Sequence, residues 1–143
     1  MKTRRDKLDD IFSKLVRERA NWTCEAQLPK CMGYFPEGPG RRMLHCSHFF
    51  SRRKQSTRFD PENAAAHCFS CHKKLEENPL DFAEWVKAHL GNGTAEKLRI
   101  RSATIVKRNK ADKEDLYQDM KAAWDDLQAR RRAGETGRLE FEL

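Results

Sequence analysis

At 143 residues, with 38% hydrophobic and 36% charged residues, the chain is of single-domain length and carries material for one modest core. Lys and Arg outnumber Asp and Glu by 29 to 22, a formal charge of +7 with a pI near 9.3, which favours a polyanionic partner. No stretch approaches the roughly 18 apolar residues of a membrane span, and the basic start MKTRRDKLDDIFSKLV lacks the apolar run of about 7 to 15 residues of a secretory signal.

A reducing cytoplasm is therefore the expected location, where five cysteines read as free thiols or metal ligands rather than disulfides. Along the chain, Leu8, Ile11, Phe12, Leu15 and Val16 recur at helical spacing and predict an N-terminal amphipathic helix within residues 1–22. CEAQLPKC follows, with Pro29 helping the chain turn between Cys24 and Cys31. GYFPEGPGRR reads as a loop, MLHCSHFF as a short strand, and SRRKQSTRFDPEN as a basic loop. Ala64, Ala65 and Ala66 are expected to start a helical stretch carrying the second cysteine pair. ENPLDFAEWVKAHLG is the best-delimited helix: Asn78 caps, Pro79 fits the first helical position and Gly91 fits the stop. Phe82, Trp85, Val86, His89 and Leu90 share one of its faces. The pattern weakens over 94–106, then Leu116, Met120, Ala123, Trp124 and Leu127 repeat at helical spacing. The tail ARRRAGETGRLEFEL loses the period and is expected to be frayed. Three parts result: the helix of 1–22, a core of 23–92, and a C-terminal helical arm of 93–143 with a mobile tail.

Cys68-Phe69-Ser70-Cys71-His72 has three readings: half a zinc site, a c-type haem anchor, or a redox pair. Haem is attached outside the cytosol, and a redox pair calls for flanking βαβ elements that the surrounding residues do not suggest. Zinc leads, with Cys24, Cys31, Cys68 and Cys71 as four thiolates from two knuckles. Such an ion contributes on the order of 10–16 kcal/mol in small peptides, enough to decide whether the fold exists. Cys46 is left over as a core thiol.

His48, Asn63 and His72 stand in the order His, Asn, His, the last closing CxxCH, and SHFFSRRKQSTRFDPENAAAHCFSCH as a whole resembles the HNH nucleases of the ββα-metal, or His-Me finger, superfamily. From LDDIFSKLVRER to NPLDFAEWVKAHLG the chain looks like the phage NinG, or Rap, recombination proteins, over roughly residues 8 to 91. The resemblance implies an α+β fold, a small zinc-stapled ββα-metal core with flanking N-terminal and C-terminal helices. It implies a metal-dependent DNA endonuclease in a bacterial host's cytoplasm, acting on branched recombination intermediates such as Holliday junctions. Carried over, His48 is the general base, Asn63 orients it or touches the metal, and His72 is a ligand of a catalytic Mg²⁺ or Mn²⁺. An imidazole titrating near 6.5 suits the role of base. Ser47 stands where many of the family have Asp or His, so His45 is a candidate for the vacant ligand position, although His45, His67 and His89 read otherwise as structural. The alternative is a catalytically inactive zinc module that binds nucleic acid.

Arg41, Arg42, Arg52, Arg53, Lys54 and Arg58 bracket the expected base and form a candidate grip on DNA phosphates. Symmetric cutting of a junction calls for two sites about a two-fold axis. The stripe with Met120 and Trp124 is a candidate homodimer interface, and packing onto its own domain is the equal alternative.

Overall fold

The structure is a computed structural model and describes residues 3–35 and 37–143. Helix α1 (Lys7–Arg19) opens on a reciprocal cap: the Asp6 carboxylate accepts from the Leu8 and Asp9 amides, and the Asp9 carboxylate accepts from the Asp6 amide. Its predicted stripe is its buried face, with Leu8, Phe12, Leu15 and Val16 at most 2% exposed. Strand β1 (Leu44–His48) pairs antiparallel with β2 (Ala64–Cys68), Leu44 opposite Cys68 and His48 opposite Ala64. Helices α2 (Phe69–Glu77), α3 (Pro79–Leu90), α4 (Asn92–Ala103) and α5 (Lys110–Arg132) follow. Among the described residues the architecture is α+β, five helices about a two-stranded antiparallel sheet.

The hairpin has two unlike faces because strand side chains alternate. Leu44, Cys46 and His48 point one way; Cys46 packs against the α1 core and the His48 ring lies 5.7 Å from that of Phe12. His45 and Ser47 point the other way, towards α2 and α3, where the rings of His45 and His72 are 5.3 Å apart and those of His67 and Trp85 4.6 Å apart.

Ala64–Cys68 is strand, not the helix expected to begin at Ala64. Alanine's helical preference is worth only tenths of a kcal/mol per residue. It is outweighed by hydrogen bonding on both edges, since β1 pairs along one side and Glu25 closes the other. The Glu25 amide donates to the Ala66 carbonyl and the Ala66 amide to the Glu25 carboxylate, each at 2.8 Å. All five residues are buried, and three small side chains let elements approach on both faces.

Helix α3 ends as predicted at Gly91, whose φ of 85° and ψ of 150° suit glycine alone. Asn78 stands at the N-cap of α3 as predicted but makes no side-chain capping hydrogen bond; its side-chain amide donates instead to the Lys74 carbonyl of α2 at 2.7 Å. The weak stretch after 94 is helical, anchored by buried Leu98 and Ser102. Met120 and Leu127 of α5 are fully buried in one cluster with Leu8, Phe12, Leu15 and Val16, and Trp124 packs on it. The stripe offered as a dimer interface is thus spent on α1 of its own chain. The tail is likewise held: Leu139 and Phe141 enter the same cluster, and the Leu139 amide donates to the Arg19 carbonyl at 2.9 Å. Alternating apolar residues fill a gap there, so the expectation of a frayed tail fails.

Candidate metal centre

Cys24, Cys31, Cys68 and Cys71 converge, with their sulfurs all within 4.8 Å of one another. Four sulfurs about 2.3 Å from one ion sit roughly 3.8 Å apart in a tetrahedron, and Cys31 Sγ and Cys68 Sγ are 3.9 Å apart. The set comes from two unlike knuckles. The first is a loop with Gln27 and Lys30 at positive φ, closed by hydrogen bonds from the Cys24 amide to Gly33 and from the Cys31 amide to Leu28. The second is the junction of β2 and α2, where Cys68 is both the last strand residue and the cap of the helix.

Backbone amides are aimed at the sulfurs. Cys68 Sγ accepts from Met32 and Cys71 at 3.4 Å each, Cys24 Sγ from Cys68 at 3.2 Å, and Cys31 Sγ from Gly33 at 3.3 Å. Burial alone would raise the Cys68 thiol, but these donors outweigh it and bring Cys68 down to about 7. Burial and then neighbouring sulfur charge hold Cys24 and Cys71 above the ordinary thiol value. Four thiolates this close repel one another, and a bound cation reverses that. The donor set therefore fits a thiolate-bound metal ion. Cys46 stands apart, and burial pushes its thiol up to about 12.

Asn63, fully buried, clasps the loop between the strands. Its amide nitrogen donates to the carbonyls of Phe50 at 3.1 Å and Thr57 at 2.9 Å, and its oxygen accepts from the Phe50 amide at 2.8 Å. This satisfies both of its donors and commits the side chain to the loop that follows His48. His48 Nε2 lies 3.0 Å from the Arg58 carbonyl. A carbonyl only accepts, so Nε2 carries the proton and Nδ1 keeps the lone pair. Burial first, then the charge of Arg52, lowers His48 to about 4.

His48 and His72 lie on opposite faces of the hairpin. The imidazole that meets His72 is that of His45, held below its ordinary value by burial first and then by the charges of His72 and Arg17. On the same face, Ser47 Oγ and both ring nitrogens of His67 are buried without a hydrogen-bond partner. Burial lowers His67 to about 3. The sequence offered His45 for the ligand position that Ser47 leaves and read His67 as structural; the register that sets His45 opposite His67 brings both to this face.

The His48 shift has a measurable consequence. Between the ordinary value of 6.5 and about 4, the unfolded chain binds a proton that the folded chain does not. This contribution is full above 6.5 and lost as pH falls towards 4. His48→Asn, whose amide still donates to the Arg58 carbonyl, is expected to shrink the drop in urea midpoint between pH 7 and pH 5; an unchanged drop refutes the assignment.

The six basic residues of the candidate DNA grip divide. Arg58 is 6% exposed and locked onto Asp9, its Nε 3.0 Å from Asp9 Oδ1, and Arg52 donates to the Thr3 carbonyl at 3.2 Å and to the same carboxylate at 3.4 Å. Arg41 lies 4.0 Å above the Trp22 ring and donates to the Phe35 carbonyl at 3.3 Å. Arg42, Arg53 and Lys54 are exposed. No family model, curated protein or solved structure matches this chain.

Proposed function

We propose that the four cysteines hold a structural zinc, and that the chain is an HNH-type DNA endonuclease whose catalytic ion is taken by His45 and His72. One observation carries the nuclease reading: two imidazoles, from β1 and from the first turn of α2, stand with ring centroids 5.3 Å apart beside the cysteine cluster. Two ring nitrogens each about 2.1 Å from one ion put ring centres roughly 5 Å apart. The resembling family grips its ion with the same hairpin-then-helix unit.

A divalent ion there would act as a Lewis acid on a phosphate oxygen and lower the pKa of water. The chain's own part is to present two imidazoles on one side of the hairpin, with His45 held below its ordinary value by burial and then by the charges of His72 and Arg17. Mg²⁺ and Mn²⁺ are the first ions to try, and imidazole ligation also suits Ni²⁺ and Zn²⁺. Ser47 Oγ faces the same side, a hydroxyl without a partner where the family has a stronger ligand. His48, which the resemblance makes the base, is committed through Nε2 to Arg58.

His45→Ala and His72→Ala are each expected to reduce Mn²⁺-dependent cleavage of a four-way junction and a linear duplex by at least about a hundredfold, leaving zinc content and DNA affinity unchanged. If His48→Ala abolishes cleavage while His45→Ala does not, the ion sits at the other end of β1 and the pair is structural. A second reading is favoured by Ser47 and by the opposed orientations of His48 and His72: a zinc module that binds nucleic acid without cutting it. Salt-sensitive binding by a wild type that cuts with no divalent ion would establish it.

A further inference from the structure

We propose that the corner at Cys68 is a stacking site for an unpaired base of DNA, with Phe69 as its platform; this rests on the nucleic-acid reading above and names its substrate class. Phe69, the first residue of α2, is 49% exposed, an unusual position for a ring that contributes little to the core there. Its orientation is nonetheless set, because its ring centroid lies 6.0 Å from that of His45.

Two further exposed apolar side chains belong to the same corner. Met43, 37% exposed, precedes Leu44, the strand partner of Cys68. Met32, 45% exposed, donates its amide to Cys68 Sγ. Charge says what occupies the patch. Lys73, four residues from Phe69, shares its helix face, as does His72 at three residues. Arg42 adjoins Met43, and among the described residues the side chains of Arg42 and Lys73 make no ion pair or hydrogen bond. An aromatic face between unpaired cations suits a base with a phosphate on either side. It is poorly matched to an apolar protein segment, which gives two cations nothing to pair with. A base on Phe69 would bring its own backbone to the face that holds His45 and His72. A fully paired duplex offers no free base, so the site selects bulges, gaps and branch points.

The test uses the full chain, zinc-loaded and without added divalent ion, so that binding is read apart from cleavage. The probes are a duplex with a two-nucleotide bulge containing 2-aminopurine and the same duplex fully paired. Wild type is expected to bind the bulge roughly tenfold more tightly and to quench its fluorescence by stacking. Phe69→Ala should lose the preference and the quench while duplex affinity changes less than about twofold, and Phe69→Trp should restore both. Arg42→Ala and Lys73→Ala should each reduce the salt slope by about one unit. Wild-type indifference to the bulge, or a Phe69→Ala variant that keeps the preference, overturns the proposal. So does a concentration-dependent dimer that Phe69→Ala abolishes, which would assign the patch to a second copy. Failure here leaves the cleavage test of His45 and His72 untouched, and failure there leaves this one standing.

Discussion

Cys68→Ser is expected to cost the protein its fold, not merely one ligand. The sulfur lies 3.9 Å from Cys31 Sγ and accepts amides from Met32 and Cys71, so it ties the first knuckle to α2. The same residue ends β2 and caps α2. A structural zinc in small peptides contributes on the order of 10–16 kcal/mol, against a net stability of about 5–15 kcal/mol for a whole domain. Stripping the ion with a strong chelator should therefore collapse helical circular dichroism and the urea transition together, with about one zinc released per chain. Re-adding zinc under reducing conditions should restore both. A metal-free chain with an unchanged urea midpoint would reduce the cysteine cluster to an ordinary packed core.

The second large effect lies at the other end of the hairpin, between α1 and the loop that joins the strands. Asp9 is 3% exposed and Arg58 6%, and they meet through two hydrogen bonds, Nε to Oδ1 at 3.0 Å and Nη2 to Oδ2 at 2.5 Å. Burial alone would raise the Asp9 carboxyl; the Arg58 hydrogen bonds, the Asp6 amide and the charges of Arg58 and Arg52 reverse this and hold it below its ordinary value. Asp9→Ala strands a buried guanidinium and opens half the α1 cap, and should cost about 3–5 kcal/mol in urea unfolding. The double variant Asp9→Ala, Arg58→Met should recover much of that, because no fully buried charge is then left unpaired and Arg52, which also loses the carboxylate, is partly exposed. A loss under about 1 kcal/mol for Asp9→Ala would mark the pair as a solvated surface bridge. The depressed carboxyl contributes stability above its unfolded value of 3.8, lost as pH falls through the folded one.

These two effects mark where sequence reasoning succeeds and where it stops. The four-cysteine cluster was legible because cysteine spacing is a local signal. Helices α1 and α3 were legible from apolar period and, for α3, from Pro79 and Gly91. The Asp9–Arg58 pair was not, since its partners are 49 residues apart and Arg58 reads as one more cation in a basic loop. Ala64–Cys68 misled because propensity speaks for the isolated segment, whereas this strand is decided by pairing to β1 and Glu25. The tail carried a usable sign, the alternation of Leu139 and Phe141, hidden by the loss of helical period. The meeting of His45 with His72 depends on strand register, which no local pattern records.

The alanines of β2 set a narrow condition on descent. Ala64, Ala65 and Ala66 are at most 1% exposed, so a methylene added at any of them has no solvent to escape into. Distant kin of the chain should then be recognisable by a loop-clasping amide, three tiny residues and a thiolate pair in that order, even where the remaining letters have diverged.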